Sequence, residues 1–402
     1  PAPPARRGLL HPPAQQPDDV LSRREDLVTV PPRSAGASSG SLLPRPRDLL
    51  RVGPHDRAHV PALRVAVSVV VPLAVLVATG HVEWAPYATF GAFAAAFGRG
   101  LGRVQRLGMQ LEAGALLVVV VVLGTALSAA SLPAVALVPV VALVAGIASV
   151  LADVRGWTPP GPLFPVFGLG VCAFLPAAPS SIAAAAAVSS LSVLLALATS
   201  LVGLVRRSGR AALAVPGARS LRRVRPPVDA RRTVLHAAIC LVASLAAGLI
   251  SLACGLQNPY WAMVSAVVPV VGRATSAQLL RAGHRLLGTL VGVGLAALLL
   301  SWHPSPVALV VAFGVLQFAT ELVVVRNYGL ALVVITPMAL SMPALGGGPV
   351  DVAALVAARG ADTAIGVAVV VVALLATHRL RTRPAATPEG PAAPAAPEAP
   401  AA

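Results

Sequence analysis

The stretch GALLVVVVVLGTALSAAS, residues 114–131, holds no charged side chain. A helix needs about twenty apolar residues to cross the hydrocarbon core of a bilayer, and this run supplies nearly all of them. A second run, Ala183–Val205, is equally free of charge. Outward from these two, residues 61–380 are a succession of such runs, broken by short Arg-bearing segments. No water reaches backbone N–H and C=O groups inside lipid, so continuous apolar runs of this length demand helices. A β-barrel is excluded, because its strands alternate apolar and polar over about ten residues. The expected fold is an all-α polytopic membrane protein, with about twelve transmembrane helices arranged as two parallel six-helix repeats.

Composition agrees. Hydrophobic residues make up 56% of the chain, charged residues 11%, and mean hydropathy is +0.81. Soluble domains average about 25% charged. The net charge is +16, from 31 basic and 15 acidic residues, and every basic residue is Arg. In a soluble protein a pI near 11.6 would suggest nucleic acid. Here the arginines flank apolar spans, so they report topology and no nucleic-acid partner is expected. Cys172, Cys240 and Cys254 lie in apolar spans without metal-ligand or Cys-x-x-Cys spacing, so no metal and no cofactor is expected. The chain begins at Pro1 rather than Met, so its start is expected to lie elsewhere, and no N-terminal signal peptide with an apolar core is expected.

The domain plan reads as follows. Residues 1–57 form an Arg/Pro-rich disordered tail, and 58–205 a first six-helix module. Residues 206–232 are an Arg-rich linker, 233–380 a second module, and 381–402 a disordered Ala/Pro tail. Candidate spans are 62–79, 84–98, 110–130, 132–152, 163–178 and 182–205 in the first half. In the second they are 233–254, 260–272, 286–302, 305–325, 328–345 and 357–377. The second span of each half is short, and is expected to be tilted, joined to its flanks or shielded by protein. With the N-terminus in the cytoplasm, only Arg359 of the 31 arginines falls on the outer side. Both termini and the linker are therefore expected to be cytoplasmic in a multi-pass protein of the cell membrane. Each half opens with a span, a Trp/Tyr-bearing turn, a short span and a basic segment. That layout suggests repeats of the same orientation.

Charges inside a bilayer are costly and are functional candidates. Arg359 and Asp362 stand three residues apart at the outer end of the last span, where they can pair; they are candidates for substrate or proton coupling, or a structural pair. Glu321, too far from Arg326 for helical pairing, needs a partner on another helix; it is a candidate for proton coupling or an interfacial anchor. Glu112, near Arg106, is a helix-end acid or a further candidate for proton coupling. Arg99, Arg103 and Arg106 fall at i, i+4 and i+7, which suggests one helix face; Arg281 and Arg285 repeat the spacing. Two basic faces at the cytoplasmic mouth would concentrate anions, or simply flank lipid phosphate. Trp84, Tyr87, Tyr260, Trp261 and Trp302 fit an aromatic belt at the outer boundary; Tyr260 and Trp261 are also candidates for stacking on substrate. Gly288, Thr289, Gly292 and Gly366 fit close helix packing. Pro269 and Pro337 are candidate kinks.

The second half carries its most specific words in order: Asn258-Pro259-Tyr260-Trp261; Arg285-Leu286-Leu287-Gly288-Thr289-Leu290-Val291-Gly292; Arg326-Asn327-Tyr328-Gly329 with Thr336-Pro337; and Arg359-Gly360-Ala361-Asp362-Thr363-Ala364-Ile365-Gly366. Over about residues 60–380 the chain resembles the fusaric-acid-resistance-like (FUSC) family, which includes aromatic acid exporters. The resemblance implies a bacterial inner-membrane protein with a duplicated six-helix module and an efflux role. Two departures stand out. A sizeable soluble region found in many relatives is absent, and the first half echoes the motifs only through Arg106-Leu107-Gly108.

Nucleotide-binding loops, zinc-protease motifs and nucleophile elbows are absent, so an enzyme is not expected. The leading expectation is a secondary, proton-coupled exporter of small organic anions across the cytoplasmic membrane, with aromatic acids the class that the resemblance implies. Its partners would be the lipid bilayer and the anion, with a homo-oligomer compatible with the sequence. The rival is a non-transporting membrane scaffold that binds anionic lipid or a partner protein through its Arg-rich segments.

Overall fold

The computed structural model describes residues 44–54, 58–205, 229–272, 274–345 and 351–382. Residues 1–43, 206–228 and 383–402 lie outside the described residues, and with them most of the tails and linker. Among the described residues the structure is all helical. In chain order the main helices are α1 (His59–Thr79), α2 (Ala85–Ala92), α3 (Arg103–Ala129), α4 (Ala134–Arg155), α5 (Leu163–Phe174) and α6 (Ser181–Val205). They continue with α7 (Ala230–Ala253), α8 (Tyr260–Val267), α9 (Thr275–Ser301), α10 (Pro306–Val323), α11 (Tyr328–Leu340) and α12 (Val352–Ala376). Eight of these are long and apolar enough to cross a membrane. The other four, α2, α5, α8 and α11, are shorter, so the expected twelve spans divide into eight of full length and four short helices.

The molecule is apolar outside and partly polar inside. On α1, Val60, Leu63, Val67, Val71 and Val75 are exposed, while Val65, Val69, Leu73 and Leu76 are buried. Large apolar side chains also cover the outer faces of α3, α9 and α10. Buried inside are Gln110, Gln278, Arg285, Glu321, Arg359 and Asp362. Water would expel such an exterior, and lipid accepts it. The chain is a multi-pass membrane protein.

The short helices are sheltered by protein. Every residue of α2 and α8 is buried. Each runs into a 3-10 turn, Phe93–Ala96 or Val268–Val270, and then into extended chain. The carbonyls freed at such an end need donors. Gln110 Nε2 donates to Ala95 O and Phe97 O, both at 3.2 Å. Gln278 Nε2 donates to Val270 O at 2.6 Å and Gly272 O at 3.0 Å. Pro269 thus lies in a 3-10 turn rather than kinking a span, whereas Pro337 is within α11.

Two expected boundaries move. Helix α9 starts at Thr275, not near 286, so Arg285 lies roughly 15 Å along the helix rather than at its mouth. Residues 44–54, expected to be part of a disordered tail, pack on the second half. Asn327 Nδ2 donates to Leu49 O and Arg51 O, His284 bonds Leu49 O, and Gly53 and Arg326 exchange two bonds. Half-buried backbone carbonyls find polar partners there, which a reading of composition alone does not foresee.

Within the first half α3 packs on α5 and α6, and α2 on α6; within the second α9 packs on α11 and α12, and α8 on α12. Between the halves α4 packs on α7 and α10 on α1. Glycines bring these helices close. A Cβ on Gly366 would collide with Ala262 O, one on Gly288 with Gly329 O, and one on Gly91 with Ser189 O. Gly124 abuts Leu169 and Cys172 of α5, as Gly292 abuts Leu332 and Thr336 of α11.

Candidate functional site

The charged interior of the second half is assembled by five helices. On α8, Trp261 and Ser265 stand one turn apart on a single face. Gly366 lets α12 lie directly on that face, and α12 brings Arg359 and Asp362 with it. Gly288 and Gly292 let α9 close on α11, which places Arg285 beside Tyr328 at the start of α11. Helix α7 contributes Ser251.

Arg359 and Asp362 were expected to pair. They share the buried face of α12, at 1% and 0% exposure, but each turns to a different neighbour. The Arg359 guanidinium carbon lies 3.7 Å from the centroid of the Trp261 ring, a cation–π contact. Asp362 Oδ1 accepts a 2.6 Å hydrogen bond from Ser251 Oγ. The ring and the hydroxyl are the nearer partners, and helix spacing alone could not rank them. Arg285, 3% exposed, donates from Nε to Ser265 Oγ at 3.2 Å and from Nη1 to Tyr328 OH at 3.4 Å. Arg285 and Arg359 lie near enough for their like charges to interact. Several atoms here lack a hydrogen-bond partner: Arg285 Nη2, Arg359 Nε and Nη1, Asp362 Oδ2, Thr289 Oγ1 and Thr363 Oγ1. Arg281 stacks 5.6 Å from the Tyr328 ring centroid.

The other candidates are placed differently from their expectations. Arg99 precedes α3 in a turn, so it shares no helix face with Arg103 and Arg106; the Gly100–Gly102 region keeps the chain out of helix there. Its Nη1 bonds Glu321 O at 2.9 Å and approaches Glu321 Oε2 at 3.4 Å, joining the two halves. Gln317 Nε2 donates to Glu321 Oε1 at 3.3 Å. Glu112 meets Arg155 of α4 at 3.1 Å rather than Arg106. Arg103 and Arg106 open α3 and are half-buried. Tyr260 and Trp261, expected at a belt or a mouth, are buried at 8% and 5% exposure among Phe167 and Phe174. Trp302 is 77% exposed at the end of α9.

Sequence reasoning passed over one pair. Asp153 Oδ2 on α4 lies 2.7 Å from His236 Nδ1 on α7, a second charged link between the halves. The signal was available: both are ionisable residues at the ends of apolar runs, the same criterion that singled out Glu321.

Residues 245–373 match the model of the family described as fusaric acid resistance protein-like, and this span holds every residue of the charged cluster. Over these residues the second half of the chain is similar to that family, as its motifs had suggested. A membrane protein of Bacillus subtilis (strain 168), YvaC, is 34% identical over 138 residues, covering 34% of this chain and 21% of that protein. This chain thus spans about a fifth of the length of that curated relative. No solved structure matches.

Proposed function

We propose that this chain is a secondary transporter that exports small organic anions across the bacterial cytoplasmic membrane and draws on the proton gradient. The observation that carries the reading is the cluster of Arg285, Arg359 and Asp362, closed off from lipid inside the second half. Ionisable groups held at such depth line substrate and ion pathways in membrane proteins. The family match over 245–373 is consistent with an efflux role. Asp362 is the preferred proton carrier, since its Oδ2 has no hydrogen-bond partner, while Glu321 is engaged by Arg99 and Gln317.

The architecture we propose is two six-segment repeats in parallel orientation, related by an axis along the membrane normal. Helix lengths support it: α3 and α9 both have 27 residues, and α6 and α12 both have 25. The second and fifth helices are the short ones in each half. The pair Gln110 and Gln278 keeps the same spacing as the pair Gly124 and Gly292. That register sets Leu117, not Arg106, opposite Arg285. The buried positions of α6 (Ala185, Ser189, Ser192, Val193, Ala196, Ser200) recur on α12 as Arg359, Thr363, Gly366, Val367, Val370 and Leu374. Asp153 and Glu321 also correspond, each held by a base from the other half. The Arg distribution supports cytoplasmic termini.

Flux of radiolabelled organic anions from proteoliposomes under an imposed pH gradient tests the transport reading; wild-type protein without flux for any of a panel of carboxylates ends it. Cysteine labelling at Ser220 and Ala386 tests the topology, and labelling from outside intact cells would overturn it.

A further inference from the structure

Building on the transport reading, we propose that the second half holds one binding site for a single monocarboxylate, formed by Arg285 and Arg359, and that the first half has no such site. Two cations and one acid are buried together, so one positive charge is left over in an apolar shell. Tyr260 and Tyr328 beside them are phenols, and Arg281, whose guanidinium lies over the Tyr328 ring, is only half-buried and stands outside this count. A buried cation without a counter-ion is strongly disfavoured. The missing partner is therefore an anion of charge −1.

The donors point to an oxyanion. Three guanidinium nitrogens, Arg285 Nη2 and Arg359 Nε and Nη1, are buried without hydrogen-bond partners. Thr289 and Thr363 stand one helical turn beyond Arg285 and Arg359, and their buried hydroxyls are also without partners. Guanidinium and hydroxyl donors carried by α9 and α12, two helices that pack on each other, suit the two oxygens of a carboxylate. The Trp261 and Tyr328 rings beside the arginines offer flat apolar walls to the rest of the molecule. Asp362, in the same cluster, opposes a second negative charge on the ligand.

The first half lacks every element of this site. In the register described above, Leu117 stands for Arg285, Val121 for Thr289, Ala185 for Arg359 and Val188 for Asp362. Ser189, in the place of Thr363, spends its hydroxyl on Ala185 O. One ligand per chain is the consequence.

The test is calorimetry and thermal unfolding of the purified full-length protein in detergent, with benzoate and butyrate as probes and chloride and phthalate at matched ionic strength. Benzoate and butyrate should bind one per chain and raise the unfolding temperature, with chloride and phthalate weaker. Arg285→Gln and Arg359→Gln should each weaken binding at least about tenfold, the loss of one charge-assisted contact. Arg285→Lys should fall between, and Arg231→Gln should match wild type. Because each Gln variant removes an uncompensated buried charge, its ligand-free form should unfold no lower than wild type, which separates lost binding from lost fold. Unchanged benzoate affinity in both Gln variants, two ligands per chain, or tighter binding of chloride or phthalate overturns the proposal. Flux retained in variants that no longer bind would sink the site while sparing the transport reading; saturable, Arg-dependent binding without flux would do the reverse.

Discussion

The second half of this chain buries Arg285, Arg359 and Asp362 where the first half, in the matching places, has the apolar Leu117, Ala185 and Val188. Meanwhile the packing positions agree, with a glutamine closing the second helix of each half and glycines at the tight crossings of both halves. The difference teaches that the fold rests on small residues and backbone partners shared by the halves, while the charged interior is confined to one of them. A membrane helix bundle tolerates this because its association depends on close packing and backbone satisfaction, to which the charges add little.

The comparison breaks most severely if the glycines matter in only one half. Gly366→Leu and Gly91→Leu each drive a side chain into facing backbone. Each should cost about 5 kcal/mol or more and leave no folded protein by size-exclusion chromatography. A well-folded protein carrying either change would refute the shared packing scheme.

Next come the two charged links between the halves. The Arg99 and Glu321 side chains are 19% and 11% exposed, against 13% and 29% for His236 and Asp153. Arg99→Gln should cost about 3–5 kcal/mol by stranding a buried acid. Asp153→Asn, at the wetter link, should cost only about 1 kcal/mol. Equal losses in denaturant unfolding would show that burial does not distinguish the links.

Transplanting a charge sharpens the contrast further. Leu117→Arg puts a lone cation at the position of Arg285, without Ser265 or Tyr328 to receive it. Membrane insertion scales place the cost at about 2.5–3.5 kcal/mol, and expression should fall accordingly. Wild-type expression would mean that the first half already offers a polar environment.

The smallest expected energy is functional. Asp362→Asn keeps the Ser251 bond available and should fold, yet slow proton-driven flux at least about tenfold, about 1.4 kcal/mol of barrier. Val188→Asn in the first half should leave flux within about twofold. Full transport by a well-expressed Asp362→Asn protein would move the proton-carrier role to Glu321.

The sequence by itself determined that this is a helical membrane protein, where nearly every helix lies, and that its second half resembles the family matched over 245–373. Those are properties of local runs: the length of an apolar stretch and the order of motifs. It also singled out Glu321, Arg359 and Asp362, because any charge inside an apolar run stands out, and Arg285 as a member of a basic segment. Only the tertiary structure decided their partners. Helix α9 starts far enough before Arg285 to draw it from the expected mouth into the interior. Trp261, a long way off in sequence, takes Arg359 away from Asp362, and Arg99 in a turn of the first half takes Glu321. Such choices depend on which helix faces meet and on where backbone carbonyls are left open at the ends of short helices. No spacing within one helix encodes them.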